Sequence, residues 1–252
     1  MSAPLMQAGG LNLRFGRVAA LDDVAIDIHP GEVVAIVGES GSGKTTLLRV
    51  LSGLMRPDDG AVSYRGQDVL AMPEAARRRL MRTEWGFVHQ NPRDGLRLGV
   101  TAGGNIGERL MAVGARHYGN IRAEATEWLK RVEIDPARMD DIPGKFSGGM
   151  QQRLQIARVL VTKPRLVFMD EPTGGLDVSV QARLLDLIRA LVADLGLAVL
   201  IVTHDIAAAR LLAHRVLVMR QGQVVEEGLT DRVLDDPQHA YTQLLVSSVL
   251  AA

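Results

Sequence analysis

The chain has 252 residues, of which 47% are hydrophobic and 23% are charged, a composition typical of a globular protein with a sizeable core. Lys plus Arg and Asp plus Glu each total 29, so the formal charge of zero predicts no general attraction to nucleic acid or to an anionic membrane. Cysteine is absent, which excludes disulfides, zinc-thiolate sites and cysteine-ligated iron-sulfur clusters and fits a reducing cytoplasm.

The N-terminal residues lack the basic segment and the apolar stretch of roughly 7 to 15 residues that mark a secretion signal. No apolar run approaches the roughly 18 residues that a membrane span requires. We therefore expect a cytoplasmic protein without direct membrane insertion, whose membrane component, if it serves a membrane process, is another chain.

The first third of the chain predicts strands, a loop and a helix. Short apolar segments broken by turn signals run from Leu11 onward, and the run Val33–Val37 predicts a buried strand. A glycine-rich loop at 38–43 follows, and residues 44–51 have the apolar spacing of a helix. Residues 61–70 predict further β-structure. A short basic helix is expected at 73–84, with arginines at 77, 78, 79 and 82.

The middle of the chain differs in character from the ends. Between about residues 91 and 145, glycines and charges increase and apolar runs are absent, which predicts an inserted, mainly helical subdomain. A helix is expected near 184–195 from its i, i+3, i+4 spacing. Three runs predict buried strands: 166–169, 198–202 and 216–219. Strands that alternate with helices favour an α/β fold with a largely parallel sheet covered on both faces.

Residues 38–45, Gly-Glu-Ser-Gly-Ser-Gly-Lys-Thr, match the phosphate-loop pattern G-x-x-x-x-G-K-[ST]. Glycines let backbone N–H groups converge on phosphate oxygens, and the following helix presents its positive end. The lysine neutralises the β and γ phosphates, and the threonine reaches Mg²⁺. The predicted nucleotide-binding residues are Gly38, Glu39, Ser40, Gly41, Ser42, Gly43, Lys44, Thr45 and Thr46, with Thr45 also predicted as a metal ligand.

Two adjacent carboxylates, Asp170 and Glu171, close the predicted strand at 166–169. Phosphoryl transfer needs a carboxylate for magnesium and a group that positions the attacking water. Because side chains alternate along a strand, we expect Asp170 and Glu171 to point differently, one toward the metal and one toward the attacking water.

Residues 146–153, Phe-Ser-Gly-Gly-Met-Gln-Gln-Arg, resemble the signature motif of ATP-binding-cassette (ABC) ATPases, whose usual form is Leu-Ser-Gly-Gly-Gln. A serine and two glycines at a helix start form a second anion site. The resemblance implies a head-to-tail dimer in which this site closes over the ATP of the partner. Phe146 and Met150 depart from the usual form, and we expect these departures to alter packing more than chemistry.

The resemblance implies roles for further residues. Gln90 matches the Q-loop glutamine, which touches magnesium and water, and His204 matches the switch histidine at the γ-phosphate. Asp177 matches the D-loop, which crosses the dimer interface, and Phe15 matches the aromatic that stacks on adenine. The catalytic residues implied are thus Glu171, His204 and Gln90, the metal ligands are Thr45, Gln90 and Asp170, and the signature contributes Ser147, Gly148, Gly149 and Gln151 to nucleotide binding.

The same resemblance predicts the fold of an ABC-type phosphate-loop NTPase, with a RecA-like core, an N-terminal antiparallel β part and an inserted helical subdomain. We place the nucleotide-binding core with its β subdomain at 1–90 and 161–228, the helical subdomain with the signature motif at 91–160, and a C-terminal tail at 229–252. ATP and Mg²⁺ are the expected cofactors.

Segments between residues 82 and 122, together with 171–183, resemble the ATP-binding K subunits of bacterial carbon-phosphorus lyase complexes. The resemblance runs nearly end to end. It implies an ATPase that docks as a dimer on the soluble core complex that breaks down phosphonates, and it leaves room for a second ABC-type subunit. No transmembrane permease is implied.

Other readings stay open. The ATP-binding subunit of an oligopeptide or nickel importer has similar motifs and a tail like residues 236–245, although such subunits commonly have longer C-terminal extensions. A DNA-repair cassette protein would carry zinc modules or long coiled coils, and neither cysteines nor heptads are found. A clamp that binds ATP without turnover could lose Glu171 and His204, which are both present.

Overall fold

The computed structural model describes residues 3–250 of the chain. The strands, in chain order, are β1 (Met6–Phe15), β2 (Val18–Ile28), β3 (Val33–Val37), β4 (Asp59–Tyr64), β5 (Gln67–Asp68), β6 (Trp85–Val88), β7 (Leu166–Asp170), β8 (Ala198–Val202), β9 (Arg215–Arg220) and β10 (Gln223–Leu229). The α-helices are α1 (Lys44–Leu51), α2 (Glu74–Thr83), α3 (Pro92–Gly95), α4 (Ala102–Ala112), α5 (Tyr118–Arg131), α6 (Gly148–Leu160), α7 (Val178–Leu195), α8 (Ile206–Leu212), α9 (Thr230–Asp235) and α10 (Ala240–Leu250).

The chain divides into two compact units. The first unit comprises the residues up to Arg77 together with those from Gly196 onward, and the second unit is Arg78–Leu195. The sequence-based division placed β6, β7 and α7 with the nucleotide-binding core, whereas this division groups them with the helical segment. The domain boundaries therefore stay a prediction.

An antiparallel sheet with strand order β2-β1-β4-β5 forms the N-terminal part of the first unit. Met6 pairs with Ile28 on one side and with Tyr64 on the other, and all three side chains are buried. Buried and exposed residues alternate along much of β1, so one face of the sheet packs on the core. The predicted β-structure at 61–70 consists of two strands with a turn between them.

A second sheet of the first unit runs in the order β10-β9-β3-β8. Strand β3 pairs in parallel with both β8 and β9, and β10 is antiparallel to β9. Every residue of β3 and β8 is buried. Continuous runs rich in Val and Ile are typical of parallel strands covered on both faces. The strands predicted at 33–37, 198–202 and 216–219 are confirmed.

In the second unit, β6 and β7 pair in parallel, and the helices bury apolar side chains. The Arg158 side chain of α6 joins that helix to α4, since Nη1 donates to the carbonyl of Asn105 at 2.6 Å and pairs with Glu108 at 3.0 Å. Trp85 and Trp128 are fully buried, so both pack locally and neither is a surface anchor. Helices α4 and α5 lie in the segment that was predicted to be mainly helical.

The architecture has the mixed α/β structure, the antiparallel β part and the helices after the phosphate loop that the sequence predicted. In the described part of the chain, each helix is too short or too polar to span a lipid bilayer.

Candidate active site

The phosphate loop leaves the carboxyl end of β3 and requires glycine at two close approaches. Gly38 has φ of +148°, and a Cβ there would lie 2.2 Å from the carbonyl oxygen of Met219. Gly43 has φ of +105°, and its Cβ would lie 2.3 Å from the carbonyl oxygen of Ala20. Both the left-handed backbone and these contacts exclude a side chain. The loop path is therefore fixed by the β9 and β2 segments packed beside it.

Lys44 begins helix α1 directly after the loop and is buried. Its Nζ donates to the carbonyl oxygens of Gly38 and Glu39, both at 2.8 Å. The hydroxyl of Ser42 is also buried and has no hydrogen-bond partner among the described residues. A buried ammonium, an orphaned hydroxyl and a helix N-terminus are the groups that an anion would satisfy.

His204 lies at the same edge of the sheet as the phosphate loop. Val202, the last residue of β8, pairs with Ile36 of β3, and the Thr203 N–H donates to the Ile36 carbonyl at 3.1 Å. His204 follows with an exposed side chain. The carboxyl ends of two adjacent parallel strands thus present the loop and the predicted switch histidine to the same side of the first unit.

In the second unit, a second pair of parallel strand ends brings two predicted catalytic residues together. Val88 of β6 pairs with Met169 of β7, and Gln90 and Glu171 follow these strands. Gln90 Nε2 donates to Glu171 Oε2 at 3.3 Å. Gln90 and Glu171 are 81 positions apart in the sequence, and the parallel pairing of β6 with β7 brings them together.

Glu171 lies just past the end of β7, so strand alternation does not orient its side chain relative to that of Asp170. Its φ is +42°, in the left-handed region that a glutamate rarely adopts. This backbone turn, rather than the strand pleat, directs the carboxylate toward Gln90. Strained backbone of this kind often occurs at functional sites.

The signature segment forms the start of α6. Ser147 is the N-cap, with its Oγ accepting from the Met150 N–H at 3.4 Å, and its side chain is exposed. Gly149 has no room for a side chain, because a Cβ would lie 2.6 Å from Val180 Cγ1 of α7. The exposed N-terminus of a 13-residue helix is an anion site open to solvent.

The two residues that depart from the usual signature both contact Arg138. The guanidinium lies 4.5 Å from the centre of the Phe146 ring, and Nη1 is 3.5 Å from the sulfur of Met150. These contacts are packing contacts behind the helix start, as expected from the sequence.

Gln151 does not have the position expected for a nucleotide ligand. Its side chain is buried, and Nε2 donates to the carbonyls of Pro143 and Phe146 at 2.9 and 3.2 Å. Both amide hydrogens are therefore used to hold the segment that precedes the signature serine. The structure thus shows Gln151 supporting that segment, and its contact with nucleotide stays a prediction.

Two glutamines that the sequence analysis did not single out connect α6 to the Q-loop. Gln155 Oε1 accepts from the His89 N–H at 2.8 Å, and its Nε2 donates to the His89 carbonyl at 3.1 Å. Gln152 Nε2 donates to the same carbonyl at 3.3 Å. The backbone before Gln90 is thus fixed by the signature helix. The signal available in the sequence was the pair of glutamines at 152 and 155, and the structure shows that both are buried.

Asp177 and Phe15 both have exposed side chains. Asp177 Oδ1 accepts from Ser179 Oγ at 2.8 Å and from the Val180 N–H at 3.0 Å, so it caps the start of α7. These hydrogen bonds lower the pKa of the Asp177 carboxyl, and the one from Ser179 has the largest effect. Phe15 ends β1 with 53% of its surface exposed, so it is not a core residue. Their roles toward nucleotide stay predictions.

The comparisons with known proteins agree with this geometry. Residues 21–174 match the family model of the ABC transporter. The chain belongs to the ABC transporter family. It is 67% identical to PhnK of Escherichia coli K12, described as a phosphonates utilization ATP-binding protein, over 99% of each chain. It is 36% identical to the oligopeptide transport ATP-binding protein OppF of Salmonella typhimurium, over 91% of this chain and 69% of OppF.

Among solved ABC structures, the chain is similar to the cassette MJ0796 in a dimeric post-hydrolysis state bound to ADP and phosphate. The TM-score is 0.81 and the sequence identity 31%, over 89% of this chain and 98% of that chain. The family and this likeness support ATPase activity.

Proposed function

We propose that the chain is an ATP-hydrolysing subunit that acts as a dimer with a carbon-phosphorus lyase core complex in phosphonate breakdown. The observation that carries the proposal is the 67% identity to PhnK along the full length of both chains. The alternative, an oligopeptide importer subunit, is supported by the more distant likeness to OppF at 36% identity.

The residues support the following division of chemical work. Lys44 and the N–H groups at the start of α1 bind the triphosphate, and His204 contacts the γ-phosphate. Glu171 orients and deprotonates the attacking water, and Gln90, whose amide lies 3.3 Å from Glu171, holds that carboxylate in place. Phosphoryl transfer depends mainly on such positioning and on charge stabilisation.

The predicted metal ligands fit magnesium by their chemistry. A hydroxyl from Thr45, an amide oxygen from Gln90 and the Asp170 carboxylate are hard oxygen donors, and Mg²⁺ sites often combine one or two carboxylates with substrate phosphates. Because Gln90 Nε2 donates to Glu171, its Oε1 would be the atom available to hold a cation. A bound magnesium ion would neutralise phosphate charge.

The dimer proposal rests on the signature helix. Ser147 and Gly148 are exposed at its N-terminus, and an anion site open to solvent can accept a nucleotide held by a second copy. The related cassette MJ0796 forms a dimer with ADP and phosphate bound. We infer a head-to-tail arrangement in which each signature segment completes the site of its partner.

A basic pocket of about 300 Å³ in the second unit is the surface that we propose for the lyase core. Four arginines contribute to its wall: Arg78, Arg82, Arg109 and Arg158. Arg109 Nε is buried without a hydrogen-bond partner among the described residues. Burial first, then the charges of Arg158 and Arg82, lower the pKa of its guanidinium, whereas Glu108 acts to raise it. An acidic segment would relieve this repulsion.

Affinity purification of the tagged chain from its native cell tests the proposed partner. We expect soluble phosphonate-degrading subunits to co-purify, and recovery of integral permease subunits in their place would contradict the proposal. The Arg82→Glu variant should lose the partner, because it reverses a charge in the pocket. Arg79→Glu is the matched control, since Arg79 is exposed on the same helix and does not line the pocket.

A further inference from the structure

The C-terminal segment of the chain contacts the phosphate loop within the first unit. The hydroxyl oxygen of Tyr241, on α10, accepts a hydrogen bond from the Glu39 N–H at 2.9 Å. Tyr241 is 4% exposed, so the contact is shielded from water. Glu39 is the second residue of the loop, and 202 positions separate it from its partner.

Tyr241 is held firmly by strands β9 and β10. The guanidinium of Arg220 lies 4.9 Å from the centre of the tyrosine ring. The Tyr241 N–H donates to His239 Nδ1 at 3.1 Å, and the His239 N–H donates to Glu226 Oε2 at 3.0 Å. The segment that carries Tyr241 is thus attached to the hairpin that also contacts Gly38 through Met219.

The peptide group between Gly38 and Glu39 is fixed from two sides. Its N–H, that of Glu39, donates to the Tyr241 hydroxyl, and its carbonyl, that of Gly38, accepts from Lys44 Nζ at 2.8 Å. Since the Glu39 N–H is already satisfied by Tyr241, its role is to set the direction of the peptide whose carbonyl holds the lysine ammonium. Without the tyrosine hydroxyl this peptide could rotate, and the ammonium would then lose a defined position.

We propose that Tyr241 is a positioning residue for nucleotide binding, which acts on the phosphates through Glu39 and Lys44. This inference rests on the proposal that residues 38–46 bind the phosphates of ATP. The C-terminal helix then serves the ATP site directly, because it completes the hydrogen bonding of the loop.

The Tyr241→Phe variant tests this role, because it removes the hydroxyl and keeps the ring under Arg220. We expect the Kd for Mg-ATP, and the KM, to rise about three- to tenfold, the range for loss of one hydrogen bond. The kcat at saturating ATP should stay within about twofold of the wild-type value, because Tyr241 touches no reacting group. Titration and steady-state assays of the full chain measure both.

Tyr64→Phe is the matched control, since Tyr64 is a buried tyrosine of the same unit on strand β4. Unchanged ATP affinity in Tyr241→Phe, or an equal loss in Tyr64→Phe, would overturn the inference. Lys44→Ala is measured in parallel. If Lys44→Ala binds ATP with normal affinity, the proposal that the phosphate loop binds ATP fails. If Lys44→Ala loses affinity for ATP and Tyr241→Phe does not, only the role of Tyr241 is refuted.

Discussion

Replacing Glu171 with glutamine is expected to lower ATP turnover about 100-fold or more, the usual contribution of a general base. The substitution keeps the side-chain length and an oxygen that can accept from Gln90 Nε2, 3.3 Å away in the wild-type protein. It removes the ability to take a proton from water. ATP binding should be retained, so the variant should accumulate as an ATP-bound dimer.

Single-turnover hydrolysis and light scattering with Mg-ATP measure the two parts of this result. Asp186→Asn is a suitable control, because Asp186 is an exposed acid on α7. Turnover near the wild-type rate in Glu171→Gln would remove Glu171 from the mechanism. Monomers of Glu171→Gln in saturating Mg-ATP would contradict the dimer.

The Lys44→Ala variant is expected to bind ATP about 10- to 100-fold more weakly, since it loses charge-assisted hydrogen bonds to phosphate. The ammonium is buried, so its charge acts on the phosphates with little screening by solvent. The substitution also leaves the carbonyls of Gly38 and Glu39 without the donor seen at 2.8 Å. Equilibrium titration with Mg-ATP measures the change.

Arg49→Ala is the matched control for this variant. Arg49 is a cation on the same helix α1, and its side chain is exposed. The Arg49→Ala variant should bind Mg-ATP with the affinity of the wild-type protein. Equal affinities of Lys44→Ala and the wild type would exclude the loop as the triphosphate site.

Local patterns predicted much of the fold and the site. Strands β3 and β8 could be predicted because each is a run of five apolar residues rich in Val and Ile, which are common in buried strands. The phosphate loop was evident because its glycines follow a strand and precede a helix. The contact of Gln90 with Glu171 was not predicted, because it depends on the parallel pairing of β6 with β7.

Other features depend on tertiary contacts that no local pattern encodes. The buried Gln155 binds His89, 66 positions away, and Tyr241 binds Glu39 from the far end of the chain. The left-handed turn at Glu171 also overrode the strand alternation that the sequence predicted. The resemblance implied that Gln151 binds nucleotide, whereas in the structure its amide donates to the preceding loop.

The central claim is that each ATP site needs residues from two copies, and mixing two inactive variants tests it most directly. Lys44→Ala disables the phosphate loop of one protomer by removing its lysine. Ser147→Arg disables the signature segment of the other protomer by placing a large side chain at the helix start. A mixed head-to-tail dimer contains one site with both defects and one complete site. We expect up to about a quarter of wild-type turnover, since about half of randomly paired dimers are mixed. No recovery of turnover, despite mixed dimers detected by two different tags, would contradict the shared site.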